Sequence, residues 1–121
     1  MRPLIAWTLL LLLAAAPVEA ARRARPPRGR VMRMNATAYC QHGTTSDGVR
    51  TRRGIVAADP RVLPMGTVVR IVGPGRGYAG TYRVADRGSA VKGRDVDIFM
   101  PSCREAARFG RRHVDVRVLR Q

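Results

Sequence analysis

The chain has 121 residues, with 23 Lys and Arg against 8 Asp and Glu and a formal net charge of +15 at pH 7. So basic a surface favours polyanionic partners, but no recognition helix or interleaved aromatic-basic motif accompanies it, so no specific nucleic acid is implied. Once a leader and a linker are set aside, fewer than 90 residues remain. That leaves room for one domain, near the size at which a hydrophobic core alone is marginal.

Residues 1–20 carry an early charge at Arg2, an apolar run of Leu, Ile, Ala and Trp, and a small-residue exit at Val18-Glu19-Ala20. This is the pattern of a signal peptide cleaved after Ala20, and it predicts export to a bacterial periplasm or to the cell wall and beyond. The apolar stretch from Pro3 to Pro17 is shorter than the roughly 20 residues of a membrane-spanning helix, so no stable membrane insertion is expected after cleavage. Cleavage removes Arg2 and Glu19 together and leaves the net charge unchanged. Residues 21–33 are rich in Arg and Pro, with little that could pack, and read as a solvated linker able to attract anionic cell-wall polymers. The domain is expected over 34–121.

Within it, MNATAY, GIVAA, TVVRIV, GTYRVAD, DVDIF and HVDVRVL are rich in Val, Ile, Thr and Tyr, and several alternate with period two. They predict six strands in a small barrel or sandwich. Asp47-Gly48, Ala58-Asp59-Pro60, Leu63-Pro64-Met65-Gly66 and Arg87-Gly88 are turn signals, and GPGRGYAG reads as a hairpin tip. In PSCREAARFG, Ser102 and Glu105 have capping-box spacing and Gly110 is a good stop, which predicts a helix of about two turns. In the last strand Val114, Val116 and Val118 share one face while Asp115 and Arg117 look the other way.

Cys40 and Cys103 lie 63 residues apart. In an exported chain they are natural disulfide partners, which would close a long loop. Two free thiols, or a metal site recruiting His42 and His113, are the alternatives; the spacing is not that of a zinc motif, and no metal is expected.

Three aspartates stand out where acids are scarce: Asp59 in GIVAADP, Asp86 in YRVADRGSAVKG and Asp97 in RDVDIF. If Val96 and Ile98 enter the core, parity places Asp95, Asp97 and Phe99 on the opposite, reachable wall, where a sugar would stack on the ring. Asp86 opens a loop whose Gly88 and Gly93 allow close backbone approach and which carries Lys92, the lone lysine. Convergence of the three acids would raise at least one pKa, as a general acid requires. The alternative is that Asp59 caps the turn at Pro60 while Asp86 and Asp97 pair with Arg.

The order ATAYC, GIVAADPRVLPMGTVVRI and GTYRVADRGSAVKGRDVDIF resembles the 3D domain of bacterial cell-wall proteins, named for three aspartates. It is similar to the barrel of membrane-bound lytic transglycosylase A and to the stationary-phase survival proteins. The likeness covers nearly all of residues 34–121, and the AxDxGxAxKGxxxDxF run is its specific part; Ser89 departs from the second glycine of many relatives.

The resemblance implies a mainly β fold, a six-stranded double-psi β-barrel with one short helix. It implies an exported lytic transglycosylase that cleaves the β-1,4 bond between MurNAc and GlcNAc in peptidoglycan without water, leaving 1,6-anhydro ends. By position Asp97 matches the catalytic acid, Asp86 and Asp59 the supporting aspartates and Lys92 the lysine of the glycine loop. Substrate contacts are expected from Lys92, Gly88, Tyr39, Tyr82 and Phe99, with Tyr78 a further aromatic surface. No cofactor is expected, the partner is the glycan strand, and the protein is expected to be a monomer. The rival readings are a non-catalytic wall-binding module, a charge-driven polyanion binder, and, from Asp86-Arg87-Gly88 alone, half of an aspartic protease.

Overall fold

A computed structural model describes residues 27–73 and 78–121. The expected signal peptide, the linker as far as residue 26 and the tip of the expected hairpin at 74–77 lie outside the described residues. The elements are β1 (Val31–Tyr39), β2 (Ile55–Ala58), β3 (Val68–Val72), β4 (Gly80–Asp86), β5 (Asp95–Phe99), α1 (Cys103–Phe109) and β6 (Arg112–Arg120). The six strands close into a barrel in the order β1, β5, β2, β4, β3, β6, and β6 pairs back onto β1. The pairs β1/β5 and β2/β4 are parallel and the others antiparallel. Among the described residues this is a double-psi β-barrel with one helix, as the resemblance implies.

Period-two alternation fills the interior. Val114, Val116 and Val118 of β6 are 0–2% exposed, and they meet Met34 and Ala36 of β1, Val69 and Ile71 of β3, Val84 of β4 and Val96 and Ile98 of β5. Full burial of each such branched side chain stabilises by roughly 1.5–3 kcal/mol, against the backbone entropy that closure of the barrel costs. β2 departs from alternation: all four of its residues are buried. A strand covered on both faces reads as a continuous apolar run, and Ala57 and Ala58 keep it thin.

The barrel begins earlier than the sequence reading placed it. Val31–Arg33 belong to β1 and not to the linker. Arg30 and Arg33 mask the pattern in composition, but Met32 points inward in step with Met34 and Ala36 while Arg33 points outward. Gly29 N–H donates to the Val118 carbonyl at 2.7 Å, and Val118 N–H donates to that of Arg30 at 3.0 Å, which extends the contact to residue 29.

α1 starts where its cap predicts. Ser102 Oγ accepts from Glu105 N–H at 3.3 Å, and Gly110, at φ 62°, ends the helix. The reciprocal half of the capping box is not used, because the Glu105 carboxylate takes two hydrogen bonds from Arg53 at 2.9 and 3.2 Å. Cys103, the first residue of α1, is disulfide-bonded to Cys40, one residue beyond β1. The two sulfurs therefore hold each other rather than a metal.

Candidate functional site

Register across three seams of the barrel lines up four side chains. Thr37 of β1 lies opposite Asp97 of β5, Asp97 lies opposite Ala57 of β2, and Ala57 lies opposite Asp86 of β4. The last pairing follows a bulge between Val56 and Ala57, which shifts β4 by one residue and brings the carboxylate, instead of Ala85, into the row. With strands about 4.8 Å apart, the backbones of Asp86 and Asp97 are roughly 10 Å from each other across Ala57. In this row only the methyl group of Ala57 stands between the two acids, and the gap above it is the notch of the site.

The two acids are held differently. Asp97 Oδ1 accepts from Thr37 Oγ1 at 3.0 Å. Asp86 Oδ1 accepts from Ser46 Oγ at 2.8 Å, from Ser46 N–H at 3.1 Å and from Arg87 N–H at 2.9 Å. The loop after Cys40 thus closes onto the end of β4, helped by a hydrogen bond from Asp47 N–H to the Ala85 carbonyl. Among the described residues, the ion pairs of Arg go to Asp47, Asp59 and Glu105, and none goes to Asp86 or Asp97. In so Arg-rich a chain, two carboxylates of the site thus lack an ion pair among the described residues, and the charge of Asp86 acts on Asp97.

Burial raises the Asp97 pKa above the ordinary carboxylate range, the Thr37 hydrogen bond opposes the rise, and the charge of Asp86 adds to it. Tyr39 follows Thr37 by two residues on β1 and so shares its face. Its hydroxyl is buried and finds no partner among the described residues. Burial first, then the charges of Asp86 and Asp97, push that hydroxyl well above its usual range. A neutral donor therefore stands beside both acids.

Asp59 is a different kind of aspartate. It is 2% exposed, and both of its oxygens are engaged. Oδ1 accepts from the backbone and side chain of Arg61 at 3.0 and 3.1 Å, and Oδ2 accepts from Arg61 Nη2 and Gly93 N–H, each at 2.9 Å. Arg61 foremost, then these backbone donors, hold its carboxyl well below the usual range. Such a group does not release and take up protons near neutrality; it pins the turn after β2 to the loop that carries Lys92. Gly93 sits at φ 58°, where a side chain would be strained. Beside it is an open cavity of about 520 Å³, lined by Ser46, Asp59, Arg61, Gly88, Ser89 and Lys92.

Asp59→Asn is expected to destabilise the barrel at neutral pH. Because the folded-state pKa is depressed, the contribution of Asp59 is complete above the unfolded value of about 3.9 and is lost as pH falls through the folded one. Thermal melts of the two proteins should differ most near neutrality and draw together below about pH 4. A gap that does not change with pH would contradict this account.

The expected residues thus divide into two neighbouring groups. Asp97, Asp86 and Tyr39 converge on the notch; Asp59, Gly88 and Lys92 border the adjoining cavity; Ser46, bonded to Asp86, is the wall between them. Three expectations are corrected. Tyr82 is a core residue, 9% exposed, with its hydroxyl donating to the Tyr78 carbonyl, so little of its ring is open to a sugar. Phe99 has the predicted parity, but it is only 2% exposed. Tyr39 and His42 stand edge-on against its ring, each at 5.4 Å between centroids, and cover it. Tyr78 is likewise buried, against Phe109. Thr37 and Ser46 were missed; strand alternation in MNATAY puts Thr37 on the face of Tyr39, whereas nothing in GTTSDG marks Ser46.

Residues 54–120 match the model of the 3D domain. Two proteins of Bacillus subtilis (strain 168) are similar in sequence. YabE, which carries a provisional cell-wall-shaping name, is 34% identical over 106 residues, covering 80% of this chain and 25% of its own. The cell wall-binding protein YocH is 35% identical over 95 residues, covering 71% of this chain and 31% of its own. The chain thus spans about a quarter to a third of the length of these relatives. Among solved structures, Streptomyces papain inhibitor superposes with a TM-score of 0.59 at 18% identity, over 78% of this chain and 98% of that one. MltA from E. coli superposes with a TM-score of 0.53 at 22% identity, over 65% of this chain and 28% of that one. At these identities the likeness is one of fold.

Proposed function

The chain belongs to the 3D domain family, and from that premise we propose that it is an exported lytic transglycosylase of peptidoglycan with Asp97 as its general acid and base. The observation that carries the proposal is a half-buried carboxyl with a raised pKa, oriented by Thr37, facing a notch and unpaired with any Arg among the described residues. The names of the relatives support a place at the cell wall.

One such acid is enough. A glycoside hydrolase needs two carboxyl groups, the second to activate water or attack the sugar. Here the 6-hydroxyl of the N-acetylmuramyl residue is the nucleophile, already held within the substrate at high effective molarity. Asp97 gives its proton to the glycosidic oxygen between MurNAc and GlcNAc as that bond breaks, then takes one from the 6-hydroxyl as the 1,6-anhydro ring closes. Asp86, which accepts three hydrogen bonds, raises the proton affinity of Asp97 through its charge, and that charge would favour the positive charge that develops on the sugar. Asp59 acts through the loop it holds, as a positioning residue, with Lys92 and Gly88 along the flanking cavity.

The name of YocH favours a second reading, a wall-binding module that uses the same groove without proton transfer. Digestion of purified peptidoglycan, with the released muropeptides identified by mass spectrometry, separates the readings. Anhydro-muramyl ends are expected. Reducing ends would mean a hydrolase that uses water. No release, with the protein sedimenting with the wall, would favour the binding module.

A further inference from the structure

A second functional surface lies on the far side of the barrel from the notch. The strand order puts β6 three places from β2 in either direction round the closed ring, so the outer face of β1, β6 and β3 is diametrically opposed to Ala57 and the acids beside it. On that face Arg117 of β6 lies directly opposite Arg70 of β3. Like charges so placed on neighbouring strands repel. Neither has an ion-pair partner among the described residues, and both are exposed. Arg33 of β1 is one row along, beside Asp115, the one acid of this face among the described residues. In the next row Arg120 lies opposite Val68, and on the other side of Val68 stands Arg83 of β4, which is paired with Asp47. The exposed segment 28–30, with Arg28 and Arg30, joins the same edge through its hydrogen bonds to Val118.

Repulsion between Arg70 and Arg117 costs stability unless an anion bridges them, and a guanidinium pair suits the oxygens of a phosphate. The large apolar residues exposed on the described surface are Val31, Val72 and Leu119, all aliphatic and all on this face. It therefore lacks the aromatic rings that anchor proteins in a lipid interface, while its rows of Arg follow neighbouring strands as a linear polymer would. We infer that the β1, β6 and β3 wall is a docking surface for a linear phosphate-bearing polyanion. The wall holds the barrel on the polymer while the notch faces away from it, and this binding does not depend on the chemistry of Asp97.

The test measures affinity of the full chain for long-chain inorganic polyphosphate over a series of salt concentrations. The variants are Arg70→Gln/Arg117→Gln and, as a control of equal charge loss, Arg104→Gln/Arg108→Gln on α1. Circular dichroism checks that each is folded, and the Asp97→Asn protein should bind like the parent. The wall variant is expected to bind about tenfold more weakly, with a salt slope shallower by roughly one and a half, and the helix variant to change about twofold or less. Equal weakening of the two would show net charge alone and overturn the proposal. So would preferential binding to phosphatidylglycerol vesicles that polyphosphate does not compete away, since that would make the wall a membrane surface.

Discussion

Replacing Asp97 by Asn is expected to lower the release of anhydro-muropeptides by about 10²–10⁴-fold, the usual contribution of a general acid, while raising the melting temperature at neutral pH. Asn keeps an oxygen to accept from Thr37 but places no charge in the half-buried notch beside Asp86. The sign of the stability change follows from the raised folded-state pKa of Asp97. Above that pKa the native protein bears the full penalty of an ionised, desolvated carboxylate. As pH falls through it the penalty fades, and below the unfolded value of about 3.9 both states are protonated and it is gone. The variant should thus be more stable than the parent near pH 7 and equal to it near pH 3. Activity of the parent should decline on the alkaline side of the same pKa, because the first step requires the protonated acid. Melting curves over pH, set beside muropeptide release, check both halves. A variant that is inactive because it is unfolded, or less stable at pH 7, would contradict the account.

Much of this arrangement is visible in the sequence because strands write their faces into it. Val96 and Ile98 inward put Asp97 outward, and the cap at Ser102 and the stop at Gly110 delimit the helix within one residue. Register between strands distant in the chain is not visible. Nothing in YRVADRG says that a bulge at Val56 and Ala57 will place Asp86, and not Ala85, in the row of Asp97. Parity likewise told which way Phe99 points but not what covers it, because its cover comes from Tyr39 and His42, about sixty residues earlier. Tyr82 misled for the opposite reason: a tyrosine in an alternating strand looks the same whether its hydroxyl meets solvent or, as here, a backbone carbonyl in the core. Asp59 was readable as a turn cap from Asp-Pro, but its grip on Gly93 joins segments 34 residues apart.

Loss of the Cys40–Cys103 disulfide is expected to be the most damaging change to stability. The bond closes a loop of 63 residues, which the chain-entropy model values at about 4 kcal/mol. A domain of this size has about 5–15 kcal/mol in all, so a large part of its stability rests on one covalent link. The site should suffer before the whole barrel does. Cys40 directly follows Tyr39, and the next residues carry His42 over Phe99 and Ser46 onto Asp86. Releasing that segment from α1 frees the wall of the notch while the strands of the barrel keep their ladder. In urea titrations, the Cys40→Ser/Cys103→Ser protein should unfold at a clearly lower midpoint than the parent, and reductant should bring the parent down to it. Muropeptide release should fall at temperatures where circular dichroism still reports folded β-structure. If the midpoint moves by less than about 1 kcal/mol equivalent, the loop is restrained by its other contacts and the entropic account fails. If activity and fold are instead lost together, the segment after Cys40 is part of the barrel's cooperative unit and not a separable wall of its site.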